Sequence, residues 1–215
     1  MAERLNLDLV DATSSGATVP DVMTRSQFGQ SPQIDAVTAA TRLVTLTISG
    51  NDLGYVASLY EAFMPRWIKR IPGVGARVRL APQPSRNADR RAHLADALIR
   101  VVSEVRRRAP QAVVICVDYL TVLPPTFRDG LPLNPAQHQS LLALANDLND
   151  AIVAAAGNQD VGLAAASQHS VDHHAWSADP WTTSGSRSGP SRAAAFHPNA
   201  SGLAKIATMV HERIT

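Results

Sequence analysis

One cysteine in 215 residues rules out any disulfide within the chain, and Cys116 lies in the apolar run Ala112-Val113-Val114-Ile115-Cys116-Val117, where it reads as a small buried hydrophobe. That usage fits a reducing compartment, or cysteine partners lost upstream. No apolar run approaches the roughly 20 residues of a membrane span. The opening Met1-Ala2-Glu3-Arg4-Leu5 is charged and lacks a secretion signal's apolar core, which in this form places the chain in the cytoplasm and leaves secretion to a longer parent product. Net charge is equally scarce: 20 Lys and Arg against 18 Asp and Glu leave +2, too little to argue for a nucleic acid or a membrane surface as partner. The basic residues that do cluster, Arg66, Lys69, Arg70, Arg77 and Arg79 and then Arg90, Arg91, Arg106, Arg107 and Arg108, read as a solvated loop and helix face. No internal repeat is visible. What remains is an ordinary globular composition, 45% hydrophobic and 18% charged, and a length that suits one α/β domain with its own core.

Strand-like and helix-like patterns alternate along that domain. Residues 1–4 read as a helix tail. Residues 5–12 alternate, with Leu5, Leu7 and Leu9 on one face and Asn6 and Asp8 on the other, and predict a strand. Pro20, Gly29 and Pro32 predict turns, with one short helix at 33–37. Strands are expected again at 43–48, 112–118 and 161–166, and helices at 53–64, 87–108 and 135–157, with Pro65 and Gly157 as terminators and 66–85 irregular. Residues 167–196 form a long polar loop, a length that points to function or mobility. The final helix is expected to bury Leu203, Ile206, Val210 and Ile214. Such alternation argues for a parallel sheet covered on both faces.

The most informative stretch is 43–54, Leu-Val-Thr-Leu-Thr-Ile-Ser-Gly-Asn-Asp-Leu-Gly, where a β-branched run stops at a polar, glycine-bearing turn. Ligands in open α/β sheets gather at such carboxyl ends of strands. Gly50 permits a tight turn, and Asn51 brings an amide able to donate to an oxygen that is gaining negative charge. Two further loops keep it company: Ser15-Gly16-Ala17-Thr18 after the first strand-like run, and Phe196-His197-Pro198-Asn199-Ala200-Ser201-Gly202 at the mouth of the last helix. There His197 is placed to act as a general base near neutral pH.

Three such loops in this order resemble the SGNH, or GDSL-type, hydrolases, and in particular the actinobacterial secreted esterase and lipase branch. The resemblance implies a three-layer α/β/α fold with a flavodoxin-like parallel sheet of order 2-1-3-4-5. It also implies hydrolysis of a small-molecule carboxylic ester, acyl or acetyl, through a serine acyl-enzyme, without metal or cofactor. On that pattern Gly16, through its backbone N–H, and Asn51, through its amide, are the oxyanion donors, and His197 is the base. Most members carry an aspartate three residues before the histidine; here that position is Ala194, whose carbonyl is expected to orient the imidazole, with Asp179 as the alternative. The family's nucleophile lies in a Gly-Asp-Ser motif on the first strand, and this sequence contains none. The chain therefore reads as a fragment lacking that strand, with residues 5–12 and 43–48 facing each other across an empty slot. The rival reading is a non-catalytic binding module on the same scaffold.

Ser14, Ser15 and Ser49 lie near the expected site, on loops that the pattern uses as donors rather than attackers. His169, Asp172, His173 and His174 fall within six residues but match no closed zinc spacing and read as a polar loop. Trp176 and Trp181 either wall a substrate pocket or pin the loop.

Overall fold

Three runs of strand-forming residues make a parallel sheet in the order β1-β2-β3, where β1 is Leu43–Leu46, β2 is Val113–Val117 and β3 is Gly162–Ala164. Around it lie α1 (Val19–Met23), α2 (Tyr55–Phe63), α3 (Ala88–Arg108), α4 (Pro135–Gln159), α5 (Ala166–His169) and α6 (Ala200–His211). The computed structural model describes residues 5–64, 88–184 and 195–214. The expectations for residues 1–4, Pro65, the 66–85 loop with its arginines, Asn87 and Ala194 lie outside these.

Leu43 pairs with Val113 and Leu46 with Cys116 across one ladder, while Ile115 pairs with Gly162 and Val117 with Ala164 across the other. The two-residue period of β2 then divides the interior. Val114 and Cys116 enter the larger core, closed by Leu59 of α2, Val101 and Val102 of α3 and Leu148 of α4, whereas Ile115 and Val117 meet Ile206, Met209 and Val210 of α6. Helices on both faces make the arrangement a three-layer α/β/α sandwich.

Local chemistry explains the helix ends. Asn134 and Gln137 cap α4 reciprocally, each side chain accepting from the other's backbone N–H, at 2.8 and 3.0 Å, with Pro135 at the first helical position. The last turn of α3 is tied down by its arginines. Arg107 and Arg108 both pair with Glu104, holding its carboxyl down at about 2, and Arg108 also donates to the Ile34 carbonyl at 2.8 Å. Among the described residues no helix is long and apolar enough to cross a membrane.

Several expectations are corrected. Residues 5–12 form no strand: the segment takes part in no ladder, and Leu9 and Val10 are 76% and 69% exposed. Alternation marks a side that can be buried but supplies no neighbour, and an unpaired segment keeps its backbone groups in water at less cost than in a one-stranded ladder. The sheet accordingly ends at β1, whose outer edge has no strand beside it among the described residues, in place of a slot between two strands. Gly157 does not stop α4, which runs on to Gln159 and ends at Asp160 in the left-handed region. Leu203 is 58% exposed; the inward stripe of α6 starts at Gly202, where a Cβ would stand 2.2 Å from the Trp181 carbonyl oxygen, and continues through Ile206 and Val210. Residues 33–36 form a 3₁₀ turn, and α1 was not foreseen. The 167–196 segment contains most of α5 and a second 3₁₀ turn at Val171–His173, and Thr182 pairs with Pro198.

Candidate active site

The loop that follows β1 is fixed from three directions. Ser49 is fully buried with φ +93°, a region that a side chain makes costly, and its hydroxyl finds no hydrogen-bond partner among the described residues. The Gly50 N–H donates to the Tyr119 hydroxyl at 2.9 Å, and a Cβ on Gly50 would meet that oxygen at 2.7 Å, so a side chain there would displace Tyr119. Burial pushes the Tyr119 phenol up to about 12, which keeps it a neutral hydroxyl. Asn51 donates its amide to the Ala17 carbonyl at 3.0 Å, and the Asp52 carboxylate accepts from the Val19 N–H at 3.0 Å. Burial raises the Asp52 carboxyl above its ordinary range, against the pull of that bond. The loop at 13–18 is thereby brought against the loop at 49–54, and Gly16, with φ +77°, stands one residue from the carbonyl that Asn51 holds.

His197 belongs to a second frame. The strip 181–183 ladders against 196–199: Phe196 N–H donates to Thr183 at 3.0 Å, Thr183 N–H to His197 at 2.9 Å, and Asn199 N–H to Trp181 at 2.9 Å. Asn199 also caps α6, accepting from Gly202 N–H at 2.9 Å while its amide donates to the Pro180 carbonyl at 2.6 Å. Between these anchors Phe196 adopts φ +63°, and its buried ring packs 5.5 Å from Tyr60 and 5.0 Å from Phe63. His197 Nδ1 comes 2.8 Å from the Ala195 carbonyl oxygen. A carbonyl only accepts, so Nδ1 carries the proton and Nε2 is the basic nitrogen. Ala194 itself lies outside the described residues; the carbonyl on the imidazole is that of Ala195.

The alternative orienter, Asp179, is engaged elsewhere. Its side chain lies 3.2 Å from His173 Nδ1, and its main-chain oxygen lies 2.8 Å from the same atom. His173 in turn stacks on Trp181, ring centroids 4.0 Å apart, so Trp181, buried, pins the loop. His174 is buried, which lowers its basicity, and its Nδ1 accepts from the Trp176 N–H at 3.2 Å. Among the described residues no three His, Cys, Asp or Glu side chains converge as a metal site. Trp176 stacks on Phe63 at 5.1 Å and so joins the aromatic cluster beside Phe196. Ser14 and Ser15 use their carbonyls within the turn, accepting from Ala17 N–H and the Gln27 amide.

Sequence reasoning missed Tyr60 and Tyr119. Both act through hydroxyls reaching across the fold, to Ala195 and Gly50, and no local pattern announces such contacts.

Residues 1–205 match the GDSL-like lipase/acylhydrolase family model, and the chain belongs to that family. It is 32% identical over 161 residues to Lipase 2 of Streptomyces coelicolor, an alignment covering 73% of this chain. The chain spans about half the length of that relative, 54%. Two solved structures share the fold with a TM-score of 0.68 each: a phospholipase A1 from Streptomyces albidoflavus, 22% identical, and an extracellular lipase from Streptomyces rimosus, 21% identical. Each alignment covers 93% of this chain and 77% of the other.

Proposed function

We propose that these residues form the general-base and oxyanion half of a serine-dependent carboxylic ester hydrolase, within one SGNH-type domain; a Gly-Asp-Ser nucleophile motif is absent from this sequence. The observation that carries the reading is the His197–Ala195 contact, an imidazole aimed by a main-chain carbonyl at the mouth of α6. In the competent enzyme a serine hydroxyl attacks the carbonyl carbon of a small-molecule acyl or acetyl ester while Nε2 of His197 takes its proton. The oxyanion that forms is stabilised by the Asn51 amide and the Gly16 N–H, each worth about 2.7 to 4 kcal/mol where measured in comparable sites. The tetrahedral adduct collapses, the alcohol leaves with the proton from His197, and water then cleaves the acyl-enzyme by the reverse sequence. The reaction as written needs no metal or cofactor.

The experiment is to join a Gly-Asp-Ser strand to the chain, from the upstream reading frame if one is encoded there and otherwise from a family member, and measure p-nitrophenyl ester hydrolysis. Activity that appears with the segment and is lost in His197→Ala and Asn51→Ala supports the reading. A folded product without turnover favours the non-catalytic module instead.

A further inference from the structure

We infer that Tyr60 is a positioning residue for His197, acting through the Ala195 carbonyl; the hydrolase reading supplies its functional meaning, while its geometry stands apart from that reading. The Ala195 oxygen lies 3.1 Å from the Tyr60 hydroxyl and 2.8 Å from His197 Nδ1. An oxygen with two lone pairs and no proton can only accept, so both neighbours donate to it, the phenol by O–H and the imidazole by N–H. An aspartate in this role would hold the imidazole by charge. A neutral carbonyl holds it only as firmly as its own peptide plane is held.

Two supports fix that plane. The ladder between 181–183 and 196–199 holds it from one side, and Tyr60 holds it from α2. Tyr60 acts twice on the same short segment, with its ring edge-on to Phe196 at 5.5 Å and its hydroxyl on Ala195. At 40% exposure the phenol has water within reach, so burial does not force the bond; it is a choice of partner. Tyr60 also lies on the helix that the Asn51 loop opens, where the Tyr55 N–H donates to the Gly50 carbonyl at 2.9 Å. Tyr60 lies five steps along the helix from Tyr55, about 7.5 Å of rise. One rigid element therefore sets the position of the oxyanion loop and of the carbonyl that aims the base.

Nitrogen-15 NMR of the histidine-labelled chain reads the tautomer without any turnover. In the neutral imidazole of the wild type, Nε2 should resonate as the unprotonated nitrogen and Nδ1 as the protonated one. Tyr60→Phe keeps the ring and removes the hydroxyl. The two resonances should then move toward each other as the Nε2–H tautomer becomes populated. Unchanged ring resonances in a folded Tyr60→Phe chain would overturn the inference. If that variant does not fold, the wild type decides: a cross-peak between the Tyr60 hydroxyl proton and His197 Hδ1 supports the shared oxygen, and a hydroxyl that exchanges freely with water and gives no cross-peak overturns it. Since neither reading uses activity, a tautomer shift in a chain that stays inactive once a Gly-Asp-Ser strand is joined to it removes the hydrolase reading and leaves the role of Tyr60 intact.

Discussion

Phe196 offers a perturbation whose sign is set by one dihedral angle. At most positions glycine is less stable than alanine by about 0.4 to 1 kcal/mol, because the unfolded chain gains freedom. At φ +63° a side chain costs about 1 to 2 kcal/mol that glycine does not pay. Phe196→Ala loses the packing of a buried ring against Tyr60 and Phe63, about 3 to 5 kcal/mol, and keeps the strain. Phe196→Gly loses the same packing and is rid of the strain. The glycine variant should therefore be the more stable of the two, by about 0.8 kcal/mol at the middle of these ranges, inverting the usual order. Urea denaturation followed by tryptophan fluorescence reads this as a higher midpoint for Phe196→Gly at equal slope. A lower midpoint for glycine would refute the left-handed turn at Phe196, and with it the geometry that brings the Ala195 carbonyl to His197.

Other consequences follow from the same contacts. Gly50→Ala drives a methyl to 2.7 Å from the Tyr119 oxygen and 2.9 Å from its Cζ and should cost about 1 to 3 kcal/mol, a cost that should shrink in a Tyr119→Leu background; an unchanged cost in thermal unfolding would mean the clash is not with that ring. The Asp118 carboxyl is raised above its ordinary range by burial, against the bonds it accepts from Ser167, so the folded chain keeps its proton where the unfolded chain has lost it. Its contribution should accordingly fall as pH rises from about 4 through the raised value and then level, a slope that Asp118→Asn should lack in urea midpoints measured across that range. The Cys116 thiol, buried and pushed up to about 11, should resist alkylation at pH 8 until the chain unfolds; modification of the native chain faster than unfolding would contradict its burial.

The sequence made most of this fold legible because the signals were periodic. Val114 and Cys116 against Ile115 and Val117 required only the two-residue alternation, and the buried stripe Leu94, Leu98, Val101, Val102 and Val105 of α3 only the helical one. Where reading failed, the deciding fact lay outside the window. Residues 5–12 have a strand's alternation, but pairing depends on a neighbour. Leu203 and Gly202 are adjacent, and which of them turns inward depends on how closely α6 approaches the Trp181 backbone. At the site, Asn51 and His197 stood out by residue type and position, whereas the choice of the Ala195 carbonyl depends on the inverted backbone at Phe196, which a phenylalanine does not advertise.

On the proposed reading, this chain would supply the base and the oxyanion donors while the attacking hydroxyl is absent from it. Incubation of the folded 215-residue chain with a fluorophosphonate, followed by mass spectrometry, tests it most directly, with p-nitrophenyl acetate turnover measured alongside. No covalent adduct and no turnover that depends on His197 are expected. An adduct on Ser14, Ser15 or Ser49, together with turnover abolished by His197→Ala, would contradict it.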